Sequence, residues 1–123
     1  MIDIPILGED LGSEMNRRVD AYNKVLNAVA AENGATVLPF HDALVRLLAG
    51  GRCPPPYANK AWPMIKAAFE GLVLHHSWDR VAAGNGLSVL ADHVHLSDRA
   101  AALLADLVAD FLDGEHLPVR SEP

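Results

Sequence analysis

The sequence predicts a mixed α/β fold with more helix than strand, and three observations carry that expectation. Two long segments, Ser13–Asn33 and Ser97–Asp113, repeat apolar residues at helical spacing behind a polar capping residue. Two short runs, Ile2–Leu7 and Ala35–Phe40, are apolar, of strand length and next to a glycine. Helix, glycine and short apolar run follow one another as in the second half of a β-α-β unit.

Ile2–Leu7 is apolar apart from Asp3 and is interrupted by Pro5, so it reads as the tail of a buried strand ending at Gly8. Glu9 and Asp10 read as a solvated loop. Ser13 is the expected N-cap of the first helix, Glu14 suits its first turn and Gly34 its C′ position. Met15, Val19, Tyr22, Val25, Leu26 and Val29 form the apolar stripe of that helix, with charged residues between them. Ala35–Phe40 is the second strand. His41–Ala49 gives one or two helical turns stopped by Gly50 and Gly51, and Cys53–Pro56 is a stiff connector.

Ala61–Ala83 reads as one longer helical stretch with Pro63 in its first turn. Ile65, Ala68, Phe69, Leu72 and Val73 would be its buried stripe, and Trp62, Phe69 and Trp78 its core or lid packing. His75 and His76 would lie within it, about 100° apart around the helix, and so could not chelate one ion together. Gly84–Gly86 reads as a turn, Leu87–Ala91 as a short apolar segment and Asp92–Leu96 as a loop. Ser97 then caps the final helix, with Leu103, Leu104, Leu107, Val108, Phe111 and Leu112 as its apolar face and Gly114 at its close. Residues 115–123 read as a flexible tail.

With 123 residues the chain is sized for one domain. The net charge is -6, and no Lys/Arg stripe is present, which argues against nucleic acid as a partner. No apolar run approaches the roughly 20 residues of a membrane-spanning helix. Cys53 is the single cysteine, so no intrachain disulfide forms, and no signal peptide is recognisable. A cytoplasmic protein without a cofactor is the expectation.

The segment that carries chemistry is Asp92-His93-Val94-His95-Leu96-Ser97. A carboxylate three residues ahead of an imidazole can accept its Nδ1–H, fixing one tautomer and stabilising the imidazolium formed on proton transfer. Nε2 is then free to take a proton from a nucleophile. By spacing alone, the same residues are better described as a solvated loop ahead of a helix cap.

This block, running into an Ala/Leu-rich terminal helix, resembles the last conserved block of the SGNH (GDSL-type) hydrolases. Ile4-Pro5-Ile6-Leu7-Gly8 resembles the family's fourth strand. Asn16-Arg17-Arg18-Val19 through Tyr22-Asn23 resembles the helix that follows it, and Ala35–Phe40 the fifth strand. The resemblance implies the C-terminal portion of a three-layer α/β/α flavodoxin-like fold, spanning residues 1–114. It also implies hydrolysis of a small carboxylic ester through an acyl-serine, with His95 as general base, Asp92 as its orienting partner and no cofactor. His93 stands where the family has glycine, a departure that is tolerable if the position does not need positive φ.

The family's Gly-Asp-Ser and Gly-x-Asn-Asp blocks are absent. The five serines are Ser13, Ser77, Ser88, Ser97 and Ser121, and none follows a strand as a nucleophile would. The chain by itself is therefore expected to be inactive: a fragment whose first strands lie upstream, or a degenerate relative. Its sheet edge would be exposed, and a second copy or another partner chain would cover it. A non-catalytic module that binds such a partner is the alternative reading.

Overall fold

The computed structural model describes residues 1–49, 53–57 and 61–115. The helix stop at Gly50–Gly51 and residues 116–123 of the expected tail lie outside them. Among the described residues five α-helices follow in order: α1 (Glu14–Glu32), α2 (Phe40–Leu48), α3 (Ala61–Ala68), α4 (Trp78–Gly84) and α5 (Asp98–Glu115). A π-helical turn, Phe69–Val73, continues directly from α3.

Among the described residues there is no strand and no sheet, so the α/β, partial flavodoxin-like expectation is overturned. The two apolar runs do meet, through one parallel bridge between Ile2 and Leu38. Leu38 N–H donates to the Met1 carbonyl at 2.8 Å and Asp3 N–H to the Leu38 carbonyl at 3.3 Å. The ladder goes no further, because Phe40 N–H turns back to the Leu38 carbonyl at 2.9 Å as α2 begins and Pro5 has no N–H to contribute. The backbone of the first run is instead satisfied by α1. Asn23 bonds both the N–H and the carbonyl of Ile4, each at 2.8 Å. Asn16 accepts from Leu7 N–H at 2.9 Å and donates to the carbonyls of Gly8 and Asp10. Two side-chain amides thus stand where a neighbouring strand would be.

That contact sets how α1 is turned. Its inward face is Asn16, Val19, Asn23 and Ala30, all buried. Tyr22, Val25 and Val29, expected in the apolar stripe, are exposed. The ends are as the local sequence dictates: the Ser13 hydroxyl accepts from Asn16 N–H, and Gly34 follows the helix at φ 65°. The N-terminus of α2 has no cap from Pro39, and the Asp3 carboxylate accepts the His41 N–H at 2.8 Å in its place.

The expected helix over Ala61–Ala83 is broken. After the π-helical turn the chain reverses at His75, which has φ 52°, and a new helix starts behind Ser77, whose hydroxyl accepts from Arg80 N–H. His75 and His76 therefore sit between helices. The reversal folds the Trp78 ring onto Gly71, where a Cβ would collide with it. The small inner residues Ala67, Val81 and Ala91 then pack with Trp78. Ile65, Ala68, Phe69, Leu72 and Val73, the expected buried stripe, are exposed instead, as is Trp62. Hydrophobicity was read correctly there, but not the side that is covered.

The main core gathers Ile6, Phe40, Leu44, Ala82, Leu87, Val89, Leu90 and Ala100, with Leu103, Leu104 and Leu107 of α5 packed against it. The segment Leu87–Ala91 runs through this core and delivers the Asp92–Leu96 loop. At the start of α5, Arg99 N–H is taken by the Asp79 carboxylate rather than by Ser97, and Asp98 in return accepts Asp79 N–H at the start of α4. Two helix starts cap each other. The final helix continues through Gly114, which was expected to end it.

Candidate functional site

The Asp92–Leu96 loop is a tight turn closed at its base. Leu90 and Leu96 form an antiparallel bridge, Ala91 N–H donates to the His95 carbonyl at 2.7 Å, and Ser97 N–H donates to the Val89 carbonyl at 2.9 Å. Asn85 Nδ2 holds the Ala91 carbonyl at 2.7 Å.

Two further contacts arrive from the far end of the chain. Gly8 N–H donates to the His93 carbonyl at 2.7 Å. The Glu9 carboxylate, buried, accepts three successive backbone N–H groups: Ser88 at 2.7 Å, Val89 at 2.6 Å and Leu90 at 3.0 Å. Charge-assisted bonds of this kind are stronger than neutral ones, and three converge on one group. The residue read from sequence as a loop acid is thus an internal anchor for the segment that carries the loop.

Within the turn, the structure brings Asp92 and His95 together. His95 Nδ1 lies 2.8 Å from Asp92 Oδ2 and 3.0 Å from Oδ1. Asp92 Oδ1 also accepts the backbone N–H of His95 at 2.9 Å and of Val94 at 3.2 Å. Burial by itself would push the Asp92 carboxyl up. The His95 N–H, its imidazole and the Val94 N–H outweigh that and hold the carboxyl below its ordinary value. An ionised Asp92 favours the Nδ1–H tautomer and leaves Nε2 with a free lone pair. The His95 side chain is 63% exposed while that of Asp92 is 4% exposed, so the pair has a dry anchor and a wet working end.

His95 borders an apolar cleft of about 560 Å³, walled by Met64, Ile65, Ala67 and Ala68 of α3 and by Trp78 and Leu96. No serine among the described residues lines it. Ser13 and Ser77 cap helices, Ser97 is buried, and Ser88 lines a different cleft with Glu9 and Arg99. Ser121 lies outside the described residues.

His93 is not part of the pair. Its ring is buried edge-on against Tyr57, with centroids 5.8 Å apart, and its Nδ1 has no hydrogen-bond partner among the described residues. Its backbone is at φ 77°, so the position does require the left-handed conformation that glycine adopts freely. The departure from glycine noted in the sequence therefore carries strain. Among the described residues, no group of three His, Cys, Asp or Glu could hold a metal ion, and no helix is long and apolar enough to cross a membrane.

Sequence reasoning missed Glu9, Asn16, Asn23 and Asn85. Asn16 and Asn23 lie in the stretch that carries the family resemblance and Asn85 in the Gly84–Gly86 turn, but neither context pointed to these backbone contacts. No family model, no curated protein and no solved structure matches this chain.

Proposed function

We propose that Asp92 and His95 form the base half of an ester-hydrolysing site of the SGNH type, acting on an ester whose apolar part lies in the cleft beside them. The observation that carries this reading is the Asp92–His95 contact itself: a buried carboxylate on Nδ1, with the imidazole facing an apolar cleft. His95 Nε2 takes the proton of a hydroxyl nucleophile as it attacks the ester carbonyl, and returns it to the departing alkoxide. Asp92 stabilises the imidazolium between these two events. Trp78, Ile65 and Met64 supply apolar surface for the acyl or alkyl group.

Because no serine among the described residues lines the cleft, the hydroxyl of this proposal is water or one brought by another chain. With water, a positioned general base contributes only about 10²–10⁴-fold. Without an acyl-serine the chain is not expected to turn over as the family does, but slow, saturable hydrolysis of p-nitrophenyl butyrate by water is expected from it, lost almost completely in His95→Ala and strongly reduced in Asp92→Asn. His93→Ala should keep the rate. Equal rates for the wild type and His95→Ala would sink the reading.

The second reading, a non-catalytic module that binds a partner, is favoured by a separate observation. Trp62, Ile65, Phe69, Leu72 and Val73 are all more than half exposed on one segment.

A further inference from the structure

We infer that the outer face of α3 and its π-helical continuation is a dimer interface, and that its occupant is a second copy of this chain. The inference is independent of the esterase reading. It starts from side chains that water should not see: Trp62 is 69% exposed, Ile65 58%, Phe69 54% and Leu72 68%. Trp62, Ile65 and Phe69 are spaced three and four residues apart, as in a seam packed against another helix, and Leu72 stands exposed on the π-helical turn that follows.

The four positions, three, four and three residues apart, also read the same in both directions. If two copies pair antiparallel about a two-fold axis, Trp62 meets Leu72 of the second copy and Ile65 meets its Phe69. A self-complementary pattern is what an isologous contact needs, with one patch facing itself.

The area is of the right order. With Val73, these side chains present roughly 500 Å² of apolar surface at their observed exposure, near the upper end for the largest patch on a soluble monomer. A standard interface takes about 800 Å² from each partner, a little over half of it apolar. The stripe supplies that apolar part.

Charge argues the same way. Between residues 61 and 74 the only charged side chains are Lys66 and Glu70. Both are turned away from the stripe: Lys66 Nζ donates to Asn85 Oδ1 at 3.0 Å and pairs with Glu70 at 3.8 Å. A second apolar face can therefore dock without desolvating an ion. Helices that lie on lipid carry a fringe of Lys and Arg, and this face has none on a chain of net charge -6. The other exposed stripe, Tyr22, Val25 and Val29 on α1, is set among Arg18, Asp20, Lys24 and Glu32 and suits a solvated surface. Ile65 belongs both to the α3 stripe and to the wall of the His95 cleft, so the second copy would border the mouth of that cleft.

Sedimentation equilibrium of the full chain at physiological salt, over a wide range of concentration, tests the inference. The expected result is a reversible shift from monomer to dimer mass. Phe69→Glu should weaken association at least about tenfold, as for a central hot-spot residue, and Val25→Glu should leave it unchanged. Leu72→Glu replaces Phe69→Glu if the latter loses helical circular dichroism. The wild-type tryptophan emission should move to the blue as the dimer fills, because Trp62 leaves water. A monomer at every concentration overturns the inference, whether or not it pellets with phosphatidylcholine vesicles. So does a dimer that Val25→Glu abolishes, or one that forms with no change in emission.

Discussion

Asn23 of α1 takes both the N–H and the carbonyl of Ile4, at 2.8 Å each, making the two bonds a neighbouring strand would otherwise make. Asn23 is 8% exposed, so few waters can replace it. Removing one partner of a buried backbone pair leaves the other polar groups unsatisfied, at about 1–3 kcal/mol per group. Asn23→Ala is therefore expected to destabilise the chain by about 2–4 kcal/mol. Asn23→Asp, which keeps the acceptor for Ile4 N–H but loses the donor, should fall between. Urea unfolding followed by circular dichroism ranks the three. Equal midpoints would mean that the Ile4 edge is satisfied by solvent.

Acid should act through Asp92. The folded chain holds this carboxyl below its ordinary value, because the bonds from His95 and Val94 outweigh its burial. The unfolded chain takes up the proton near pH 3.9. The sign follows: the stabilisation is complete above about pH 4 and is lost as the pH falls through the folded-state value. Asp79, whose burial is outweighed by the Arg99 N–H and guanidinium, is lowered too and adds to the same slope. Unfolding midpoints between about pH 3 and 6 should fall less steeply with acid in Asp92→Asn than in the wild type. An identical slope in both would remove Asp92 from the linkage.

His93 offers a test in which the smaller residue should win. At φ 77° both His and Ala pay for the left-handed backbone, while Gly does not. His93→Ala gives up the packing on Tyr57 and keeps the strain. His93→Gly gives up the same packing and releases the strain, so it should be about 1 kcal/mol more stable than His93→Ala. Thermal melts of the two variants side by side decide it, and an Ala variant as stable as the Gly variant would mean the loop relaxes to negative φ.

What was legible in the sequence follows the range of the interactions. The caps of α1 at Ser13 and Gly34 depend on neighbours within a turn, and both are where the residues place them. The Asp92–His95 contact spans three residues and could be written from the spacing. The Glu9 anchor could not, since its three partners lie 79–81 residues away. The sheet failed for a similar reason. An apolar run becomes a strand only when a backbone lies beside it, and here Asn16 and Asn23 occupy that place. The outward turn of Trp62, Phe69 and Leu72 was hidden as well. It is decided by the fit of the Trp78 ring on Gly71, which claims the opposite side of the segment.

The paired bonds at the starts of α4 and α5, from Asp79 N–H to the Asp98 carboxylate and from Arg99 N–H to the Asp79 carboxylate, have a mechanical consequence for the loop between them. Residues 79 to 98 form a ring, tied at its neck by two carboxylate–amide bonds, and the Asp92–His95 turn lies on its rim. Such a ring opens as a unit or hardly at all, because freeing the rim means parting α4 from α5 and drawing Leu87, Val89 and Leu90 out of the core. The amides of this ring would then exchange with heavy water at a shared, slow rate, and His95 would keep its place on a rigid hoop even without a ligand.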